Sequence, residues 1–177
     1  ENGTQTQTVT ITDNETAPTV TLTTSAATTS ENSGGSLTLT ATLSTVTTAN
    51  VTVSIGTSGT ATESSDYATI SDITISAGST TGTASFTPTD DASVEGNETA
   101  TVSITGVTGG SATESGTQTI TITITDDDTT PTVTLTSSAS SIAENSGSSI
   151  TLTATMSTTD ASNVTIAFST TGTATEG

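Results

Sequence analysis

The chain has 177 residues, eighteen Asp and Glu and no Lys, Arg or His, so its formal net charge at pH 7 is −18. A surface without cations has nothing to hold phosphate, which excludes nucleic acid and anionic membrane surfaces as partners. No apolar run is long enough to cross a bilayer, and the absence of cysteine removes disulfides and thiolate metal sites.

Fifty-four residues are Thr, and the aromatics are Tyr67, Phe86 and Phe168. That composition lies near the border of disorder, so periodicity has to decide. From the N-terminus, residues 1–17 (ENGTQTQTVTITDNETA) read as one closing strand, and with Glu rather than Met at position 1 the chain is expected to be an internal piece of something longer. Seven strands are then expected over 18–24, 36–44, 50–56, 67–75, 83–88, 99–105 and 117–125. Leu37, Leu39, Ala41 and Leu43 alternate with Thr, as do Val51, Val53 and Ile55, then Ala100, Val102 and Ile104, then Ile120, Ile122 and Ile124. A period of two marks a half-buried strand with one wet face, and the branched Cβ of Thr suits that face. A mucin-like stalk would carry far more than three prolines and no alternation. Short strands separated by turns predict an all-β protein built as an antiparallel Ig-like sandwich of seven strands.

The pattern then restarts. PTVTLTTSAATTSENSG at Pro18 returns as PTVTLTSSASSIAENSG at Pro131, an offset of 113, and residues 18–64 agree with 131–177 at 29 of 47 positions without a gap. The same offset lays ENGTQTQTVTITDNE over ESGTQTITITITDDD at Glu114. The expected organisation is the C-terminal strand of a preceding repeat (1–17), a complete repeat (18–130) and the N-terminal part of a following repeat (131–177).

If each strand reverses the chain, the loops sort to two poles. Glu31, Glu63, Asp66, Asp90, Asp91, Glu95, Glu98, Asp126, Asp127 and Asp128 fall at one pole, and the opposite loops hold Glu114. Like charges crowded together repel, and no side chain of the chain can neutralise them. A hard divalent cation can. Ca²⁺ accepts six to eight oxygens in irregular loop geometry, Mg²⁺ comes second because it wants a tighter octahedron, and softer metals want His or Cys.

The stretches SENSG around Glu31, GTATESSDY ending in Asp66-Tyr67, FTPTDDASVEGNET and ITITDDD together resemble the Calx-β domain. That family comprises calcium-binding sandwiches found in sodium/calcium exchangers, in an integrin and as tandem repeats of large surface proteins. The resemblance covers 18–130 and both partial copies. It implies Ca²⁺ as the bound ion, with Glu31, Asp66, Asp90, Asp91, Glu95, Glu98, Asp126, Asp127 and Asp128 as side-chain ligands and Ser93 giving its carbonyl. Glu63 and Glu114 match no ligand position, and the first copy carries Asp13-Asn14-Glu15 where the second has three Asp.

Two functions follow from these features. One is a calcium-binding structural repeat of a long extracellular rod, adhesin stalk or surface filament, with Ca²⁺ stiffening the junctions. Its partners are neighbouring repeats of the same chain and lateral copies in a filament, with no direct membrane binding. The other is a calcium-sensing regulatory module of a membrane transporter or other attached protein. Similar copies and a uniform Thr surface free of tryptic sites favour the rod and an extracellular or cell-surface location. Catalysis is not expected, since without His, Cys or Lys there is no usual nucleophile-and-base pair. Asn2, Asn14, Asn50, Asn97 and Asn163 sit in glycosylation sequons, which a chain so rich in Thr also produces by chance. Alternating Thr on flat strands could suit ice, but the acidic loops favour ordinary solvated faces.

Overall fold

The computed structural model describes residues 2–159 and 163–173. Its strands are β1 (Thr19–Thr24), β2 (Thr28–Ser30), β3 (Leu37–Leu43), β4 (Val51–Gly59), β5 (Ile73–Ile75), β6 (Thr81–Phe86), β7 (Glu98–Thr108), β8 (Thr113–Glu114), β9 (Thr119–Thr125), β10 (Val133–Ser137) and β11 (Leu152–Met156). Among the described residues the only helical element is a 3-10 turn at Glu31–Ser33. A four-stranded sheet in the order β6-β3-β1-β8 faces a five-stranded sheet in the order β2-β9-β7-β4-β5, and β10 pairs with β11 separately.

Both sheets contribute to one core. Val20, Leu22, Leu39, Ala41, Leu43 and Phe86 meet Val51, Val53, Ile73, Ile75, Ala100, Val102, Ile122 and Ile124. Their Thr neighbours point outward, as the pleat requires. Each fully buried aliphatic chain contributes about 1.5–3 kcal/mol. Tyr67 and Phe86 add a stacked pair with ring centroids 4.9 Å apart.

The expected seven antiparallel strands become nine, and two of the pairings are parallel. The first strand divides because the chain leaves β1 after Thr24 and crosses to the other sheet, where β2 runs parallel to β9. The last strand divides in the same way. β8 runs parallel to β1 before the chain crosses to β9. Beyond β8 the Gln118 side chain continues the edge, its Oε1 accepting the Leu22 N–H at 3.2 Å.

The strand expected over 67–75 shrinks to Ile73–Ile75. Tyr67 makes isolated bridges to Glu63 and Pro88 instead. Asp72 closes the ladder, because its carboxylate accepts the Ile55 N–H and the Ser54 hydroxyl, each at 3.0 Å. At that point the β4–β7 register slips by one residue, leaving Thr105 as a bulge between Ile104 and Gly106.

β10 and β11 pair Val133 with Met156 through Ser137 with Leu152. Each number is 113 above its counterpart in β1 and β3, where Val20 pairs with Leu43 through Thr24 with Leu39. The apolar side chains of this hairpin lie open, with Leu135 54% and Leu152 57% exposed. Residues 2–17 form no strand, and Val9 and Ile11 are 79% and 92% exposed. A lone strand has no neighbour to satisfy its backbone. Glu1, residues 160–162 and residues 174–177, which belong to the expected flanking copies, lie outside the described residues.

Candidate metal centre

The ladders bring the acids together. β2 and β9 pair in parallel from Thr28 with Thr123 to Ser30 with Thr125, so the next residues, Glu31 and Asp126, emerge side by side. β7 starts with Glu98 opposite Ile124, which folds the preceding turn over Asp126. There the N–H groups of Glu95 and Gly96 donate to Asp126 Oδ2 at 2.9 and 2.6 Å, and the Asp128 N–H donates to its Oδ1 at 2.8 Å. β4 runs with β7 as far as Gly59 opposite Ala100 and then turns toward Asp66. The Thr62 N–H donates to Asp66 Oδ2 at 2.5 Å, and the Thr89 N–H donates to the Asp66 carbonyl at 3.0 Å. Asp66 thereby anchors the start of the 89–98 loop.

Three overlapping triads result: Glu31, Asp126 and Asp128; Glu31, Asp91 and Glu95; and Asp66, Glu95 and Glu98. Within each, one carboxylate oxygen per residue lies within 4.8 Å of the others. Glu31 and Glu95 each belong to two triads, so seven carboxylates form one continuous chain of oxygen donors.

Their electrostatics are those of crowding. Glu31 is 7% exposed. Burial, then the charges of Asp91 and Asp126, push its carboxyl up to about 7. Lost hydration and neighbouring acids also raise Glu95 and Asp128, and Glu98 rises through lost hydration and its bond with Asp66. Asp126 moves the other way because the Gly96 and Asp128 N–H groups stabilise its charge. The centre is thus built around one anion held by backbone N–H groups and several carboxylates that repel one another.

Seven of the ten expected ligands are in the triads: Glu31, Asp66, Asp91, Glu95, Glu98, Asp126 and Asp128. Asp90 and Asp127 are not, and Ser93, expected through its carbonyl, has no carboxylate to place in a triad. Asp90 is exposed, although its charge reaches Asp128 and helps to raise it. Ser93 donates its N–H to Asp91 Oδ1 at 2.7 Å. Asp127 accepts the side-chain amide of Asn32. Glu63 and Glu114 stand apart, engaged by the Thr57 hydroxyl at 2.8 Å and the Gln118 N–H at 2.6 Å. Asn32 was not among the expected site residues, since an amide beside a carboxylate carries no charge signal; its place in SENSG was the available hint.

The donor set is all carboxylate, with one acid nearly buried and no cation in the chain to pair with it. That chemistry fits a hard divalent cation, and a soft metal would find no nitrogen or sulfur ligand here.

No protein-family model matches the sequence, and no curated protein matches it. Among solved structures, the fold is similar to that of an apo-form Calx CBD1 domain, with a TM-score of 0.51 and 18% identity, covering 62% of this chain and 99% of that one. It is also similar to CBD12 from CALX1.2 (TM-score 0.50, 18% identity, 61% of this chain and 44% of that one). A third likeness is to the calcium binding domain CBD12 of CALX1.1 (TM-score 0.50, 19% identity, 60% and 46%). The chain therefore spans less than half of the two CBD12 structures. It has the β-sandwich fold of these domains.

Proposed function

We propose that this chain is a calcium-binding structural repeat of a long extracellular rod, adhesin stalk or surface filament, in which Ca²⁺ stiffens the junctions between repeats. The observation that carries the calcium reading is the run of three triads around buried Glu31 in a chain without a single basic side chain. Glu31, Asp66, Asp91, Glu95, Glu98, Asp126 and Asp128 would hold the ions, and bound cations would relieve the repulsion recorded in the raised carboxyls. The likeness to Calx CBD domains, one of them described as a calcium binding domain, supports the same reading.

The rod rests on the offset of 113 that relates the two hairpins in sequence and in register. Asp126–Asp128 join β9 to the segment that leads into β10, so cations held there sit at the start of the next copy. Neighbouring repeats and lateral copies are the partners of this reading. The Calx likeness is equally consistent with a second reading, a calcium-sensing regulatory module of a membrane transporter or other attached protein. Affinity separates them: extracellular modules bind near ~10⁻⁴–10⁻³ M and sensors near ~10⁻⁷–10⁻⁵ M.

Terbium tests the site directly. Tyr67, the one tyrosine, follows Asp66 in the chain and can sensitise Tb³⁺ luminescence. Emission should appear on titration, fall as calcium competes, and fix the affinity range. No emission, together with no calorimetric heat at millimolar calcium, sinks the calcium reading.

A further inference from the structure

We propose that the open hairpin β10–β11 is a docking surface for residues 4–12 of a second copy of this chain, so that molecules join head to tail. The β1–β9 sandwich shows the contact. There the apolar side of β9 closes over the first hairpin, with Ile122 and Ile124 buried in one core with Val20, Leu22, Leu39, Ala41 and Leu43. β9 also runs parallel to β2, with Ile124 opposite Thr29, and Gln118 Oε1 accepts the Leu22 N–H at 3.2 Å.

The chain carries both halves of that contact a second time, unjoined. At the offset of 113, Gln5, Val9 and Ile11 stand for Gln118, Ile122 and Ile124, while Leu135 and Leu152 stand for Leu22 and Leu39. The acceptor is already set, because β10 and β11 pair in the register of β1 and β3. Within one chain Val9, Ile11, Leu135 and Leu152 all lie exposed, and the hairpin joins no other sheet. That leaves a second molecule as the occupant. It can lay Val9 and Ile11 over Leu135 and Leu152, set Ile11 opposite Ile142 and bring Gln5 to the Leu135 N–H. Adding a strand to an open sheet is a general mode of recognition, with main-chain bonds giving affinity and side chains giving register. Donor and acceptor lie on different parts of one chain, so the contact repeats from molecule to molecule.

Charge does not oppose the contact where the strands meet. Every residue of 4–12 and of 131–143 is uncharged, in a chain whose net charge is −18. The acids come together just beyond. Asp13 and Glu15 would lie beside Glu144 as Asp126 and Asp128 lie beside Glu31. The Glu15 N–H already donates to Asp13 Oδ1 at 3.1 Å, repeating the turn in which the Asp128 N–H donates to Asp126 Oδ1 at 2.8 Å. On the cation-binding reading above, docking completes a triad with two ligands from one molecule and one from the next, and calcium strengthens it.

Sedimentation equilibrium of the whole chain, in chelator and at ~0.15 M salt, tests the docking apart from the cation. The apparent mass should rise above 17.3 kDa as the concentration approaches ~1 mM. Ile11→Asp in the donor and Leu135→Asp in the acceptor should each leave a monomer, because docking would bury an unpaired charge. Both positions lie outside the β1–β9 sandwich, so its melting should not change. Mixed in equal amounts, the two variants should form a dimer and nothing larger, since one intact donor meets one intact acceptor. Millimolar calcium should tighten wild-type association at least ~5-fold, and Glu144→Gln should remove that gain alone. A wild-type chain that stays at 17.3 kDa at ~1 mM overturns the docking, as do single variants that still associate or a mixture that does not pair. Residues 4–12 protected from amide exchange in a chain that stays monomeric make the chain its own occupant and overturn it too. Association that ignores calcium in a chain that binds it overturns the shared triad. A chain that takes up no calcium overturns the cation reading, while the docking is decided in chelator.

Discussion

Replacing Glu31 by Gln should stabilise the calcium-free chain and weaken its response to calcium. Glu31 is 7% exposed, and its carboxyl is pushed from an ordinary 4.5 up to about 7, first by burial and then by Asp91 and Asp126. The folded chain therefore holds this proton more tightly than the unfolded chain does. Stability is greatest below the unfolded value and is lost as pH rises through about 7. At ~1.4 kcal/mol per unit the shift corresponds to at most ~3.5 kcal/mol, and partial solvation of the carboxylate reduces the usable part to ~1.5 kcal/mol. Gln keeps the shape and cannot ionise. In chelator at pH 8 it should melt about 5–10 °C higher than the wild type, and at pH 4.5 the two should coincide. Millimolar calcium should reverse the order at pH 8, because Gln removes a charged oxygen from two triads at once. Circular dichroism melts at both pH values, with and without calcium, read all of this. A Gln variant that is less stable than the wild type in chelator at pH 8, or shifted equally at both pH values, would refute the electrostatic account.

Two further outcomes are expected. Asp72→Ala should cost ~1–2 kcal/mol in urea melts, since it deprives Ile55 N–H and Ser54 of their acceptor, and should leave calcium affinity unchanged because Asp72 is in no triad. A loss below ~0.3 kcal/mol would mean that water replaces the clamp. A Glu- and Asp-specific protease should cut first within the Asp90–Glu98 loop in EDTA and much more slowly in millimolar calcium; equal rates would count against an ion-ordered loop.

Strand positions were legible wherever one face is wet. Leu39, Ala41 and Leu43 alternate with Thr because β3 lies between core and solvent, and β7 and β9 read the same way. Elements without that contrast were not legible. β2 has three residues and β8 two, too short for a period, and both are held by parallel pairing to distant strands. The stretch from Tyr67 to Ile70 buries Tyr67 and Ile70 and makes only isolated bridges instead of a ladder, and its apolar residues imitated a strand. The sorting of acids to one pole followed from strand parity, which survives the two extra strands because each adds a sheet crossing, not a reversal. Side-chain direction is what parity leaves open. Asp126 and Asp127 are neighbours with the same charge, and a backbone turn sends one to the triad and the other to Asn32.

The shared register of the two hairpins has a consequence for how the chain finds its fold. β10 carries the same inward and outward pattern as β1, so β3 could accept either strand with identical pairing. Contact chemistry alone does not distinguish them, and connectivity must. Roughly a dozen residues separate β1 from β3, against roughly ninety between β3 and β10, so closing the longer loop costs ~1.8 kcal/mol more. That is about a twentyfold bias toward the near partner, and during synthesis β1 and β3 emerge together, long before β10 exists. Unfolded whole chains released from denaturant lack that order of arrival. They should show a slow phase of exchanged hairpins that vectorial synthesis avoids, a hazard set by the similarity of the copies rather than by any weakness within one.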